Sequence, residues 1–225
     1  MPNELGHNIT KHKQIYDLFE MINLKLIGTT NKLKVYLIGG GALMFHNAKV
    51  STKDLDIILT TNSQAILMED ILFRLGFIER QLTQEYDNFA IDKMFELESY
   101  RLDVFNQKVC GKLSLSEEMI FRSKIELNLS NLKLYVLSKE DIFVFKSITE
   151  REGDIEDSAK IVEQGVDWKI IKNELQSQIK KTGTHIWITY LNQRLDKLDE
   201  EYDLKSPIIK EIKKLSEIEY NKLDS

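Results

Sequence analysis

Two aspartates interrupt a run that otherwise predicts a buried strand. Asp54 and Asp56 lie in Asp54-Leu-Asp-Ile-Ile-Leu59. Residues two apart in a strand project from the same face, so both carboxylates point together. Adjacent carboxylates repel each other unless a cation lies between them. Hard divalent cations, typically shared with substrate phosphates, are the usual partners. The pair therefore predicts a site for Mg²⁺ or Mn²⁺, and the alternative is a solvated strand end without a ligand.

A third aspartate lies in a later strand candidate. Asp103 is flanked by strand-forming apolar residues in Tyr100-Arg-Leu-Asp-Val-Phe105. A carboxylate in such surroundings is costly unless it has a partner. Together with Asp54 and Asp56, it would form a site for two metal ions, in which all three acids are metal ligands and catalytic residues.

Three glycines, Gly39 to Gly41, follow the apolar strand candidate Val35 to Ile38 and precede a predicted helix at Ala42 to His46. A glycine turn between a strand and a helix leaves backbone N–H groups available to phosphate. Gly40 and Gly41 would let the backbone approach a triphosphate closely. The alternative is a tight turn without ligand. Thr52 is a further candidate phosphate contact, or it merely begins the next strand.

The composition is that of an ordinary globular protein. The 225 residues include 42% hydrophobic and 30% charged residues, with a net charge of -5 that argues weakly against a large RNA partner. Cys110 is the only cysteine, which excludes an internal disulfide and a thiolate metal cluster. No apolar run is long enough to cross a membrane, and no signal peptide is recognisable. We therefore expect a cytoplasmic protein.

The hydrophobic periodicity changes at residue 138. Before it, strand candidates alternate with amphipathic helices. From Ser138 onward almost every segment has helical periodicity. We predict an α/β (α+β) fold, with a short mixed β-sheet core and flanking helices at residues 1–137, and a helical C-terminal domain at 138–225.

The order of these motifs resembles the nucleotidyltransferase superfamily of the DNA polymerase β type. In that family a glycine motif holds a nucleoside triphosphate, an Asp-x-Asp pair binds metal, and a later strand aspartate completes the site. The resemblance covers roughly residues 33 to 105 and gives these roles to Gly40 and Gly41, to Asp54 and Asp56, and to Asp103. Gly-Gly-Gly-Ala replaces the commoner Gly-Ser, which removes one hydroxyl.

A second segment is similar to the region after the core in AbiEii-like and other minimal nucleotidyltransferases. Lys146, Arg151, Asp154 and Asp157 occupy the places of its lysine, arginine and acids. The resemblance implies that Lys146, Arg151 and Asp154 contribute to nucleotide binding, with Lys146 neutralising the triphosphate. The alternative for this segment is an exposed helix face with intrahelical ion pairs.

The resemblance implies a metal-dependent enzyme that transfers a nucleoside monophosphate from an NTP to an acceptor hydroxyl and releases pyrophosphate. A tRNA end, a protein or a small molecule could supply the hydroxyl, and an antitoxin partner is possible because minimal family members occur in toxin–antitoxin systems. Two alternatives remain open. One is a catalytically silent domain that binds a nucleotide or a partner protein, and the other is a sugar transferase with a metal-binding Asp-x-Asp.

Overall fold

A computed structural model describes residues 8–28, 32–81, 93–109, 113–149 and 152–223. The strands are β1 Leu33–Ile38, β2 Leu55–Leu59, β3 Ile78–Arg80, β4 Lys93–Leu97, β5 Tyr100–Asn106, β6 Lys108–Val109, β7 Leu113–Ser114, β8 Lys124–Asn128 and β9 Leu132–Val136. The helices are α1 His12–Lys25, α2 Gly39–Phe45, α3 Asn62–Leu75, α4 Glu117–Arg122, α5 Lys139–Ser147, α6 Glu152–Glu163, α7 Trp168–Thr182, α8 Ile186–Tyr202 and α9 Ile209–Leu223.

The chain divides into two compact units, Met1–Ser138 and Lys139–Ser225, which we name the sheet unit and the helical unit. The sheet unit contains a seven-stranded mixed sheet in the order β3-β4-β5-β2-β1-β9-β8. Strand β2 pairs parallel with β5 and antiparallel with β1, and β1 pairs parallel with β9. The predicted mixed α/β fold class is confirmed.

Local sequence signals explain how the helices of the sheet unit begin and end. The Thr61 side chain accepts a hydrogen bond from the backbone N–H of Gln64 and so caps α3, while Gly76 ends that helix at a φ of 93°. Helix α1 buries the apolar stripe of Ile15, Leu18, Phe19 and Ile22. Helix α2 begins at Gly39, three residues before the expected start, so Gly40 and Gly41 lie within its first turn.

The helical unit contains α5 to α9. Asp167 caps α7 by accepting hydrogen bonds from the N–H groups of Lys169 and Ile170, and Gly183 ends that helix in the left-handed conformation. Helix α9 begins at Ile209. Across the described part of the chain, no helix combines the length and apolar character needed to span a membrane.

Candidate active site

Two of the predicted carboxylates lie side by side in the sheet. In the parallel pair of β2 and β5, Asp56 is the register partner of Asp103. Directly paired residues of neighbouring strands project from the same face. Asp103 is buried, with 2% of its surface exposed, whereas Asp56 is partly exposed. The fold therefore brings together two acids that are 47 positions apart in the sequence.

Arg101 lies close both to Asp103 and to the third acid, Asp54. Its guanidinium donates from Nε to Asp103 Oδ1 at 3.1 Å and from Nη2 to Asp103 Oδ2 at 2.9 Å. The same Nη2 lies 3.9 Å from Asp54 Oδ2. Arg101 and Asp103 are two residues apart on β5, so they share one face of the strand. The positive partner that the acids require is thus supplied by the chain itself in this structure.

Gly39 lies directly against Asp56. A Cβ atom at Gly39 would be 2.0 Å from Asp56 Oδ2, which is far inside van der Waals contact. Gly39 also has a φ of 59°, in the left-handed region that glycine adopts without strain. The first glycine of the run therefore lets the turn between β1 and α2 approach the carboxylate.

Gly40 and Gly41 are both buried, and both pack against side chains of the segment around β2. A Cβ at Gly40 would be 2.4 Å from Thr52 Oγ1, and one at Gly41 would be 2.7 Å from Leu55 Cδ2. The Thr52 hydroxyl donates to the Asp54 carbonyl at 3.0 Å. In this structure Gly40, Gly41 and Thr52 have packing roles that fix the segment leading to Asp54.

The donor chemistry of Asp54, Asp56 and Asp103 fits a hard divalent cation, because all three offer carboxylate oxygens. Among the described residues, however, no three histidine, cysteine or acidic side chains are grouped closely enough to hold a metal ion. Arg101 already lies against two of the three acids. A metal bound by all three would lie close to the Arg101 guanidinium, so the two positive charges would compete for Asp103.

The helical unit contains a separate buried ion cluster. Lys146 Nζ lies 2.6 Å from Asp154 Oδ1 and 2.8 Å from Asp157 Oδ2, and Thr149 also donates to Asp154. Asp154 and Asp157 are 8% and 3% exposed. An exposed, solvated helix face is therefore the wrong description of these three residues. Lys146 has two carboxylate partners within its own unit.

Burial lowers the pKa of Lys146, but the charges and hydrogen bonds of Asp154 and Asp157 outweigh burial and raise that pKa above its ordinary value. The ammonium is therefore held in its charged form. Arg151, the remaining residue expected at this site, lies outside the described residues.

Sequence reasoning did not assign Arg101 or Gly39 to the site. The pattern Arg-Leu-Asp at residues 101–103 contained a signal for Arg101, since residues two apart in a strand share a face. The positive φ of Gly39 and its approach to Asp56 left no comparable local signal.

The match to a family model places the chain in a defined class of protein. The family described as "Nucleotidyltransferase of unknown function (DUF6036)" matches residues 13–188, which is most of the chain. The protein belongs to this family, so the expected membership of the nucleotidyltransferase superfamily and the expected transferase enzyme are confirmed.

Two solved structures are similar to the chain. One is a crystal structure of ANT(2")-Ia in complex with adenylyl-2"-tobramycin, with 14% identity, a TM-score of 0.49, and coverage of 75% of this chain and 98% of that one. The other is a solution structure of the antibiotic-resistance factor ANT(2'')-Ia, with 13% identity, a TM-score of 0.42, and coverage of 86% and 99%. A search of the curated proteins found no match.

Proposed function

We propose that the protein is a metal-dependent nucleotidyltransferase whose active site is formed by Asp54, Asp56 and Asp103. The observation that carries this proposal is the register pairing of Asp56 with the buried Asp103 on adjacent parallel strands. Two acids at this position are costly for folding alone, because burial of a carboxylate must be offset by a cationic partner. A role in holding the divalent cation of a metal–nucleotide complex accounts for a cluster of acids on one face.

The three carboxylates would hold Mg²⁺ or Mn²⁺, which supplies charge neutralisation on the triphosphate and lowers the pKa of a bound acceptor hydroxyl. Asp54 and Asp56 would bind the metal on the triphosphate side of the site. Asp103 would orient the acceptor hydroxyl and receive its proton. The acceptor oxygen would then form a bond to the α-phosphorus. The bond from that phosphorus to the bridging oxygen would break, its electron pair would stay on the bridging oxygen, and pyrophosphate would leave.

Before substrate binds, Arg101 would neutralise the negative charge of Asp103 and Asp54. Its guanidinium contacts Asp103 at two oxygens and lies near Asp54. On binding of the metal and NTP, the released guanidinium is an available donor for a phosphate oxygen. Gly39 would keep the backbone close to Asp56, and Gly40, Gly41 and Thr52 would hold the turn that faces the triphosphate.

The expected contribution of Lys146, Arg151 and Asp154 to nucleotide binding stays a prediction. Lys146 and Asp154 form an ion pair in this structure. Their pairing supports a positioning role at least as well as a direct contact with phosphate. The acceptor, whether RNA, protein or small molecule, and the antitoxin partner also stay predictions.

Calorimetric titration with ATP, GTP, CTP and UTP, with and without Mg²⁺, tests the nucleotide and metal requirement. We expect binding only with the cation, because unscreened acids repel a triphosphate. Incubation with each labelled NTP and total cell RNA, protein or hydroxyl-bearing small molecules then identifies the acceptor.

The variant that tests the site is Asp56→Asn, and its matched control is Asp70→Asn. Asp70 is an exposed acid on α3 that pairs with Arg74. Asp56→Asn should abolish label transfer, and Asp70→Asn should leave it unchanged. Nucleotide binding of equal strength in EDTA, or transfer by Asp56→Asn at the parent rate, would contradict the proposed site. Metal-dependent binding without transfer to any acceptor would instead favour the silent nucleotide-binding domain.

A further inference from the structure

Lys49 lies in the loop between α2 and β2. Helix α2 ends at Phe45 and β2 begins at Leu55, so the loop leads directly from the glycine turn to the acids. Lys49 is partly exposed. Its neighbour Val50 is 89% exposed. This part of the loop therefore lies at the protein surface, where a ligand from solvent can contact the lysine.

The side chain of Lys49 lies against the glycine turn. A Cβ at Gly40 would be 3.6 Å from Lys49 Cδ and 2.4 Å from Thr52 Oγ1. Lys49 and Thr52 thus approach the turn at the place that a side chain would otherwise fill, which glycine leaves open. The ammonium of Lys49 is two bonds beyond Cδ. Its positive charge is therefore close to the turn.

Thr52 connects this contact to the acids of the site. Its Oγ1 lies 3.0 Å from the Asp54 carbonyl oxygen and 3.5 Å from Asp54 Oδ1. The first glycine of the turn lies directly against Asp56. Lys49 is therefore on the side of the site formed by Asp54 and Asp56, the two acids proposed to bind the metal on the triphosphate.

Backbone hydrogen bonds hold the loop on both sides of Lys49. The Ala48 N–H donates to the Leu43 carbonyl at 3.0 Å, and Ala48 is buried. Thr52 and Ile9 exchange two backbone hydrogen bonds of 2.8 and 2.9 Å. Because the backbone around Lys49 is already ordered, less conformational entropy is lost when its side chain binds a ligand.

A lysine at this place suits a polyphosphate. Its ammonium is a compact charge with three donors, and lysine commonly binds phosphate in nucleotide sites. Lys49 is not without a partner in the protein, so phosphate would share or replace an existing contact. Lys146, the cation that was expected at the triphosphate, is held instead by two carboxylates of the helical unit.

We propose that Lys49 binds the β- and γ-phosphates of the NTP and so gives the site its preference for triphosphates over monophosphates. This inference rests on the proposed nucleotidyl transfer, because Asp54 and Asp56 must hold the metal on the same phosphates. The leaving pyrophosphate carries the electron pair of the broken bond. The ammonium neutralises part of the charge that develops there.

The test measures binding to the full chain by calorimetry in buffer with Mg²⁺. The probes are ATP, GTP, CTP and UTP, the four corresponding monophosphates, and inorganic tripolyphosphate. Lys49→Met keeps an apolar stem against Gly40 and removes the charge. It should weaken binding of the preferred NTP and of tripolyphosphate by about tenfold or more, the scale for loss of a charge-assisted hydrogen bond. Binding of the monophosphate should not change.

Two further variants and a second measurement locate the effect. Lys49→Arg retains the positive charge and should recover most of the lost affinity. Lys34→Met removes an exposed lysine on β1 and should bind like the parent. In the parent, isotopically methylated lysines are observed by NMR, and the Lys49 signal is identified by its absence from Lys49→Arg. This signal should shift with the NTP and not with the monophosphate, which decides the question if Lys49→Met does not fold.

Binding of the NTP by Lys49→Met as tightly as by the parent would overturn the role of Lys49 and leave the transfer site intact. An equal loss of NTP and monophosphate affinity, or a Lys49 signal that does not move with the NTP, would have the same consequence. Failure of the parent to bind any NTP would instead contradict the transfer site, and the role of Lys49 would fall with it.

Discussion

Arg101 and Asp103 form a two-point ion pair along one strand, with Nη2 2.9 Å from Oδ2 and Nε 3.1 Å from Oδ1. The aspartate side chain is 3% exposed and the arginine side chain 18%. Because the pair is largely removed from water, loss of one partner leaves a charge that is poorly solvated. This relationship determines what substitutions at the site should do.

Asp103→Asn should destabilise the metal-free protein by about 1 to 3 kcal/mol, since it removes the main carboxylate from a mostly buried guanidinium. Relief of repulsion between clustered acids would have the opposite sign, but Arg101 already neutralises that repulsion. Urea unfolding in metal-free buffer measures the difference. Glu96→Gln, which breaks the more exposed pair with Arg80, is the control and should cost less than about 1 kcal/mol. Equal or greater stability of Asp103→Asn would show that repulsion dominates.

Arg101→Leu should bind Mg²⁺ more tightly than the parent, because the guanidinium and the cation compete for Asp103 and Asp54. The apo variant should melt lower, and Mg²⁺ should raise its melting temperature more than it raises that of the parent. Melts across a series of Mg²⁺ concentrations measure this, with Arg80→Leu as the control. A parent and a variant that respond equally to Mg²⁺ would indicate that the cation does not use these acids.

Gly39→Ala should impair both folding and catalysis. The added Cβ would meet Asp56 Oδ2 at 2.0 Å, and the φ of 59° is strained for alanine. We expect a loss of about 1 to 3 kcal/mol and a large fall in transfer rate. The control is Gly153→Ala in α6, where a Cβ would have open space and alanine is the better helix former. Thermal melts and the transfer assay separate the two, and a Gly39→Ala enzyme of parental stability and rate would contradict this account.

Lys146→Met should destabilise the helical unit by about 3 to 5 kcal/mol, because it leaves Asp154 and Asp157 buried without their cation. The matched control is Lys160→Met on α6, which breaks an exposed pair with Glu156 worth about 0.3 to 0.5 kcal/mol. Denaturant unfolding of both variants gives the comparison. If Lys146→Met were as stable as Lys160→Met, the buried cluster would not contribute to folding, and the contact with a triphosphate would become the better explanation for the lysine.

Tyr36 should ionise only at strongly alkaline pH. Burial, and then the charge of the stacked Tyr135, raise its pKa from 10.0 to about 12. The unfolded chain loses this proton first, so the contribution of Tyr36 to stability is complete below pH 10 and falls as the pH rises towards about 12. Spectrophotometric titration of the parent against Tyr36→Phe measures the ionisation. A difference spectrum that titrates near pH 10 would contradict the buried environment.

The sequence alone predicted the mixed α/β fold class and many of the helices and strands. Amphipathic periodicity, caps such as Thr61 and Gly76, and alternation in the strands depend on neighbours within a few positions, so they are readable without tertiary structure. The same holds for the expectation that Asp54 and Asp56 share a face. The nucleotidyltransferase superfamily that was inferred from these motifs is confirmed by the family to which the chain belongs.

The tertiary structure decided which groups neutralise one another. Asp56 meets Asp103 only because β2 pairs in parallel with β5 in one register, and Gly39 reaches Asp56 only because β1 lies on the other side of β2. Lys146 was expected to face a triphosphate, yet α6 supplies its two carboxylates. Such partners come from strands and helices distant in the sequence. Their pairing is set by the burial of whole apolar faces, and the period of one segment does not specify it.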